Sequence, residues 1–169
     1  FRDYRLSLVH QTAGTSLLPV DVCEYHKQPK PGPSKRIIEH VQHLFFKEDL
    51  TDALPLGEMS WHGLPYETYK LAFTEDLLTD ILGSKLTGHR ATLQNKSESG
   101  YRFASNQYWI CSGVPGFKGS GNFYMPDKYK DPFGRETNVV FDSKYHIYLV
   151  SVTDPLGNAS TVEKFDFRV

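Results

Sequence analysis

The sequence is short of most features that announce a chemistry. It has two cysteines, Cys23 and Cys111, in 169 residues, which excludes a disulfide-stapled miniprotein. Two free thiols are expected; pairing would need Cα atoms within about 7 Å. No apolar run approaches the roughly 18 residues of a membrane-crossing helix. Neither sign of charge dominates, with 19 Lys and Arg against 20 Asp and Glu. A net charge of −1 and a pI of about 6.7 supply no field to gather nucleic acid or an anionic membrane. The chain has no initiating Met and no leader-like segment, and it stops at "FDFRV", inside what reads as a strand. Both ends read as interior sequence, so a segment of a longer polypeptide is expected.

What is present is aromatic and extended. Phe and Tyr number 11 and 10, a composition that suits half-buried strands, and the length suffices for one domain with its own core. "YRLSLVHQ" (4–11) and "LPVDVCEYHKQ" (18–28) read as strands. "PKPGPS" (29–34) breaks the chain, because proline fixes φ and removes a donor. "KRIIEHVQHLFFKEDL" (35–50) fits two periods, a helix face of Ile37, Ile38, Val41, Leu44 and Phe45 or a strand face of Ile37, Val41 and Phe45. Residues 51–67 are turn-rich through Pro55, Gly57, Gly63 and Pro65.

A strand around Tyr69–Phe73 gives way at Thr74, an N-cap residue followed by Glu75 and Asp76 where the helix dipole favours negative charge. Leu77, Leu78, Ile81 and Leu82 form one apolar face and Gly83 supplies the C′ position, which predicts a helix over about 75–82. Residues 83–100 are polar and read as loop, and 101–113 as a strand or hairpin. "GVPGFKGSGN" (113–122), with four glycines and a proline, reads as an exposed flexible loop.

The remaining sequence echoes itself. "DPFGRETNVVFD" (131–142) is answered 23 positions later by "DPLGNASTVEKFDF" (154–167). In each, aspartate can bind nearby backbone N–H groups, proline pre-sets φ, and glycine accepts a left-handed exit. The turn positions are Asp131, Pro132, Gly134, Asp154, Pro155 and Gly157; the strand-end positions are Phe141, Asp142, Phe165 and Asp166. With "HIYLVSVT" (146–153) between them, the units predict a meander. Asp131 to Asp142 spans 11 positions and Asp154 to Asp166 spans 12. One extra residue reverses side-chain faces unless a bulge absorbs it, so a bulge is expected near Glu163–Phe165.

In this order along the chain, "KRIIEHVQHLFFKEDLTDALPLG", "LPYETYKLAFTEDLL", "YWICSG" and "FYMPDKYKDPFG", then "DPLGN" and "FDFRV", resemble the B component of insecticidal toxin complexes. The similar stretch in that SpvB/TcB-like group leads into its Rhs-type, or YD, repeats, with Phe-Asp here where Tyr-Asp is usual. Residues 35–169 carry the resemblance. It implies a mainly β fold, an antiparallel meander of Rhs/YD-repeat type with one short helix, forming a fragment of a larger β-shell. It also implies that "RIIEHVQHLFF" (36–46) is a strand and not a helix. The implied organisation is a strand-rich lead-in over 1–34, a β-rich shell segment with the helix and Gly-rich loop over 35–130, and two repeat units over 131–169.

In that family, B and C components build a hollow shell that encloses a toxic polypeptide until a pore-forming A component receives it. The implied role is therefore structural, a secreted, extracellular shell segment with no catalysis and no cofactor. Its implied partners are the rest of the same polypeptide, a C-type toxin component and, more distantly, the A component, with no nucleic acid and no membrane insertion. The alternative, from another class, is an extracellular β-rich module that binds carbohydrate or protein.

Other constellations have plainer readings. His40 and His43, flanked by Glu39 and Glu48, share a face only on a helix, and a zinc site needs three or four ligands. Cys111 beside a histidine would suit thiol catalysis, but "WICSGV" carries no hydrolase signature and a small apolar strand residue is expected. "GVPGFKGSGN" lacks the Gly-Lys-Ser/Thr order of a phosphate loop. Asp131, Asp142, Asp154 and Asp166 could be acid–base pairs or calcium ligands, yet turn capping explains their spacing. Asn95-Lys-Ser97 and Asn158-Ala-Ser160 are glycosylation sequons. Tyr101, Phe103, Tyr108, Trp109, Phe123 and Tyr124, with Arg102 and Lys118, could form an aromatic binding platform, against an expectation of sheet packing.

Overall fold

The computed structural model describes residues 21–24, 26–32 and 34–166. The strand expected over 4–11, the start of the one over 18–28 and the end of the last at 167–169 lie outside these. The chain divides into two units, Phe1–Glu39 and His40–Val169. In the first, β1 (Asp21–Cys23) and β2 (Ser34–Arg36) form a small parallel pair.

The second unit holds two antiparallel sheets, so the chain is mainly β with short helices. The first sheet has the order β3-β4-β6-β5, from Val41–Phe45, Pro65–Thr74, Gln107–Cys111 and Tyr101–Ala104. Of the ambiguous stretch 35–50, β2 and β3 take the extended parts. β5 and β6 are joined by Ser105 and Asn106, both left-handed with φ of 52° and 60°, the pattern of a two-residue hairpin whose twist matches its strands.

Both faces of this sheet are covered, and β6 shows it directly, with Tyr108, Trp109 and Cys111 all buried. One face collects Tyr69, Trp109 and Cys111 with Leu44, Leu71 and Ala104. The other collects Tyr108, Leu78 and Leu86 with Phe73, Leu93, Tyr101 and Phe103. Simple alternation would put Phe73 beside Tyr69 and Leu71. A register shift between Leu71 and Phe73 sends it to the opposite side instead.

The helices cover that second face. α1 (Glu75–Leu82) starts where Thr74 Oγ1 accepts from Leu77 N at 3.2 Å, and it buries Leu77 and Leu78. The stretch 83–100, expected as loop, carries a 3₁₀ turn (Gly83–Leu86), α2 (Arg90–Gln94) and α3 (Lys96–Ser99). Its polarity conceals them because Leu86 and Leu93 are its only packed anchors in that core. Asn95 caps α3 through its side-chain oxygen and Gly100 ends it in the left-handed region.

The second sheet has the order β11-β10-β9-β8-β7. β7 (Val114–Phe117) lies within the Gly-rich stretch expected as a flexible loop, and residues 120–122 beyond it form a 3₁₀ turn. Pro115 is tolerated because β7 is an edge strand. β8 (Pro126–Lys130), β9 (Glu136–Phe141), β10 (Leu149–Thr153) and β11 (Ala159–Thr161) continue as a meander. None of these five strands contributes a fully buried side chain. The sheets meet where the Phe46 ring stands edge-on to Tyr66 and Phe117, at 4.9 and 5.8 Å.

Candidate functional site

The two Asp-Pro-x-Gly corners make the same set of backbone hydrogen bonds. Gly134 N donates to the Asp131 carbonyl and Gly157 N to that of Asp154, each at 3.0 Å. Asp131 N donates to the Arg135 carbonyl at 2.9 Å, and Asp154 N to that of Asn158 at 3.0 Å. Asp131 Oδ1 accepts from Phe133 N and Arg135 N, and Asp154 Oδ1 from Leu156 N and Asn158 N, all within 2.8–2.9 Å. Gly134 and Gly157 follow at φ of 86° and 87°, closing a type I turn with a left-handed residue as three-residue hairpins do. Pro132 and Pro155 occupy the second turn position, where a fixed φ fits.

The strands obey the same offset. Lys128, Tyr129 and Lys130 pair with Asn138, Thr137 and Glu136. Adding 23 to every number gives Ser151, Val152 and Thr153 against Thr161, Ser160 and Ala159, which is the β10–β11 pairing. This two-strand ladder is therefore copied along the sheet without a slip.

The far ends differ. Phe141 closes β9 opposite Leu149. Asp142 then opens a corner in which its carboxylate accepts from the backbone N–H of Lys144, Tyr145, Ile147 and Tyr148 at 2.6–3.2 Å. Partial desolvation raises its pKa, but those N–H groups outweigh it and hold the carboxyl at about 2. Asp154 is lowered first by the Asn158 side-chain amide and then by backbone N–H groups. In the second unit β11 stops at Thr161, and Val162 N bonds the Val150 carbonyl at 2.9 Å. The bulge expected near Glu163–Phe165 is absent because the strand has already ended. A register shift lies instead between Leu149 and Ser151, at the β9–β10 ladder. Phe165 packs its ring on Tyr148 at 5.4 Å, and Asp166 is exposed outside any strand.

The faces of this sheet differ in chemistry. Tyr129, Thr137, Val139 and Val152 share one side, while Lys128, Lys130, Glu136 and Asn138 share the other. Glu136 lies 4.0 Å from both lysines.

The remaining sequence candidates are dispersed. His40 meets the Trp109 ring edge-on at 4.8 Å, and His43 Nδ1 is 3.0 Å from Thr68 Oγ1. Glu48 bonds His62, not either of these. Among the described residues no group of three or more His, Cys, Asp or Glu could hold a metal. Both cysteines are free thiols. Burial pushes the Cys111 thiol pKa up, the opposite of activation. Of the aromatic platform, Trp109 packs on one face of the first sheet, Tyr101, Phe103 and Tyr108 on the other, and Phe123 is exposed. Both sequon asparagines spend their amide on structure, Asn95 Nδ2 on Glu98 Oε1 and Asn158 Nδ2 on Asp154 Oδ2, each at 2.8 Å.

Sequence reasoning missed two polar networks. Glu67 is buried, accepts from Tyr69 Oη at 2.6 Å and pairs with Lys96 Nζ at 2.9 Å, while Arg102 lies over the Tyr69 ring at 4.4 Å. Burial and the Glu67 bond push the Tyr69 pKa up. Across the sheet, Tyr108 Oη donates to Glu75 Oε2 at 2.9 Å, and Arg90 pairs with Glu75. The available signal for the first was a glutamate in phase with Tyr69 and Leu71, on a face otherwise apolar.

No family model matches the chain, and no curated protein does. Solved structures do. The crystal structure of TcdB2-TccC3-TEV matches with a TM-score of 0.59 at 18% identity, over 77% of this chain and 6% of that one. The structure of TcdB2-TccC3-Cdc42 matches at 0.47 and 13%, over 78% and 8%. At such identity the first likeness is one of fold, and the second is too loose to argue from. This chain spans a small fraction of the length of the chains it matches.

Proposed function

We propose that this chain is a wall segment of a toxin-complex B-type protein of Rhs/YD-repeat kind, whose β-shell encloses a toxic polypeptide for delivery. The observation that carries the reading is the 23-residue copy of corner and ladder together, from Lys128–Asn138 to Ser151–Thr161. A hairpin unit that repeats in register adds strands side by side and builds surface, not a pocket. The likeness in fold to a segment of TcdB2-TccC3-TEV supports it, as does the ordered sequence resemblance. The mechanism is confinement. Ladder bonds hold the wall while the space it bounds keeps an unfolded cargo from solvent and proteases. On this reading the chain works outside the cell, performs no catalysis, and joins the rest of its polypeptide, a C-type component and a pore-forming A component.

The test is made on the complete parent polypeptide assembled with its C-type partner. Cryo-electron microscopy should show residues 126–161 as consecutive strands of a closed wall around a lumen. The enclosed polypeptide should resist protease until the assembly is opened. Finding those strands inside a solid domain, or a cargo equally sensitive in both states, removes the proposal.

A further inference from the structure

Two loops of the second unit meet away from the repeated corners. The first, 47–63, is closed at its neck, where Phe46 N donates to the Leu64 carbonyl at 2.9 Å and Leu54 N to that of Phe45 at 2.8 Å. The second, 118–125, joins β7 to β8 and is closed by Lys118 N on the Met125 carbonyl at 2.9 Å. His62 binds them together, its ring 4.3 Å from that of Tyr124 and its Nδ1 2.5 Å from the Glu48 carboxylate. Asn122 Nδ2 lies 3.4 Å from His146 Nδ1, which ties the second loop to the Asp142 corner.

These braces hold large apolar side chains in water. Trp61 is 94% exposed, Phe123 73%, Met59 65% and Leu56 57%. Phe123 and Tyr124 both sit in the left-handed region, at φ of 54° and 53°, where glycine would be at ease and a bulky residue is not. Such strain persists only where surrounding structure enforces it, and it gathers at binding sites. The first loop is acidic in composition. Residues 47–63 hold one lysine against Glu48, Asp49, Asp52 and Glu58, a net of −3 with histidine counted neutral, and 118–125 add Lys118, which leaves −2 over the two loops. Lys47 is itself paired with Asp52 at 3.5 Å, and the Thr51 hydroxyl lowers the Asp49 pKa and keeps that group ionised.

We propose that Trp61, Phe123, Met59 and Leu56 form a docking surface for a polypeptide segment in which large apolar side chains alternate with lysine or arginine. Trp is among the side chains on which protein contacts concentrate their energy and Met adapts to varied partners, and the acidic loop complements a basic strand. The net negative charge of the two loops disfavours anionic lipid. The inference stands on these two loops and does not depend on the shell reading.

The intact chain is titrated, by fluorescence anisotropy, with a labelled peptide alternating Leu or Phe with Arg, and with the same peptide carrying Glu for Arg. The basic peptide should bind on the order of tenfold more tightly, and the double variant Trp61→Ala with Phe123→Ala should weaken it by on the order of tenfold. Leu156→Ala, at an exposed residue of the second corner, should leave binding unchanged. Emission from buried Trp109 verifies the fold of each variant. Equal binding of both peptides, full binding by the double variant, or preference for phosphatidylserine vesicles or immobilised glycans over the peptide overturns the proposal.

Discussion

Four backbone N–H groups converge on Asp142, and that convergence sets a dependence on acid. Its carboxyl has a pKa of about 2 in the folded chain against an ordinary 3.8. A value depressed by folding contributes stability that is complete above the ordinary pKa and lost as pH falls toward the folded one. The window therefore lies between about 3.8 and about 2, and the lowered pKa of Asp154 acts in the same sense. Asp142→Asn should melt a few degrees below the parent at neutral pH, and that gap should close as the solution approaches pH 2. Circular-dichroism melts across the range test this; a gap that persists in acid would mean charge is not what holds the corner. Gly113 and Gly157 make a second comparison, since both have φ of +87°. A Cβ at 113 would lie 2.5 Å from the Lys130 carbonyl oxygen, whereas at 157 nothing stands within 4 Å. Gly157→Ala should cost about 1 kcal/mol, the left-handed penalty alone. Gly113→Ala should cost about 3 kcal/mol because β7 and β8 must also separate. Urea unfolding of the two variants measures the difference.

At the scale of elements, α3 is fastened to β4 by Lys96 on Glu67, a carboxylate whose side chain is 3% exposed. Lys96→Met would strand that charge and should cost about 3 kcal/mol, while adding Glu67→Gln should restore most of the loss. A double-mutant cycle in denaturant checks it; additive losses would show that the pair is not coupled. α1 depends on its cap, and Thr74→Ala should cost about 1 kcal/mol. That helix was legible because cap, acidic first turn, apolar face and terminal glycine all agree over 75–82. α2 and α3 were not, since a helix of four or five residues supplies too little period to rise above its polar composition. β7 was hidden for a related reason: Val-Pro-Gly-Phe has strand geometry only because β8 offers it a ladder, and tertiary pairing overrides propensity.

For the molecule as a whole, stability is unevenly distributed. Every buried side chain of the four-stranded sheet and its helices has a covering layer, whereas the five-stranded sheet buries none completely. Amides of β4 and β6 should exchange with solvent far more slowly than those of β10 and β11, by about tenfold for each 1.4 kcal/mol of local stability. Equal protection would require a cover on the second sheet. The repeated corner could be read from the chain because turn chemistry is local and written in Asp, Pro and Gly, whereas the mainly β architecture rests on the family resemblance, since 35–50 fits a helix and a strand equally by period. The two polar networks, the helix-covered face and the Trp61–Phe123 surface could not, because each joins residues far apart in sequence. The offset of 23 has an evolutionary consequence. Excising residues 131–153 would splice Lys130 to Asp154 and restore the Lys130–Glu136 pairing as Lys130–Ala159. Gene duplications or losses in whole blocks of this length keep the register at their junction, whereas other lengths do not. Descendants of this gene should therefore differ in strand number by twos, each step adding or removing one hairpin of the five-stranded sheet.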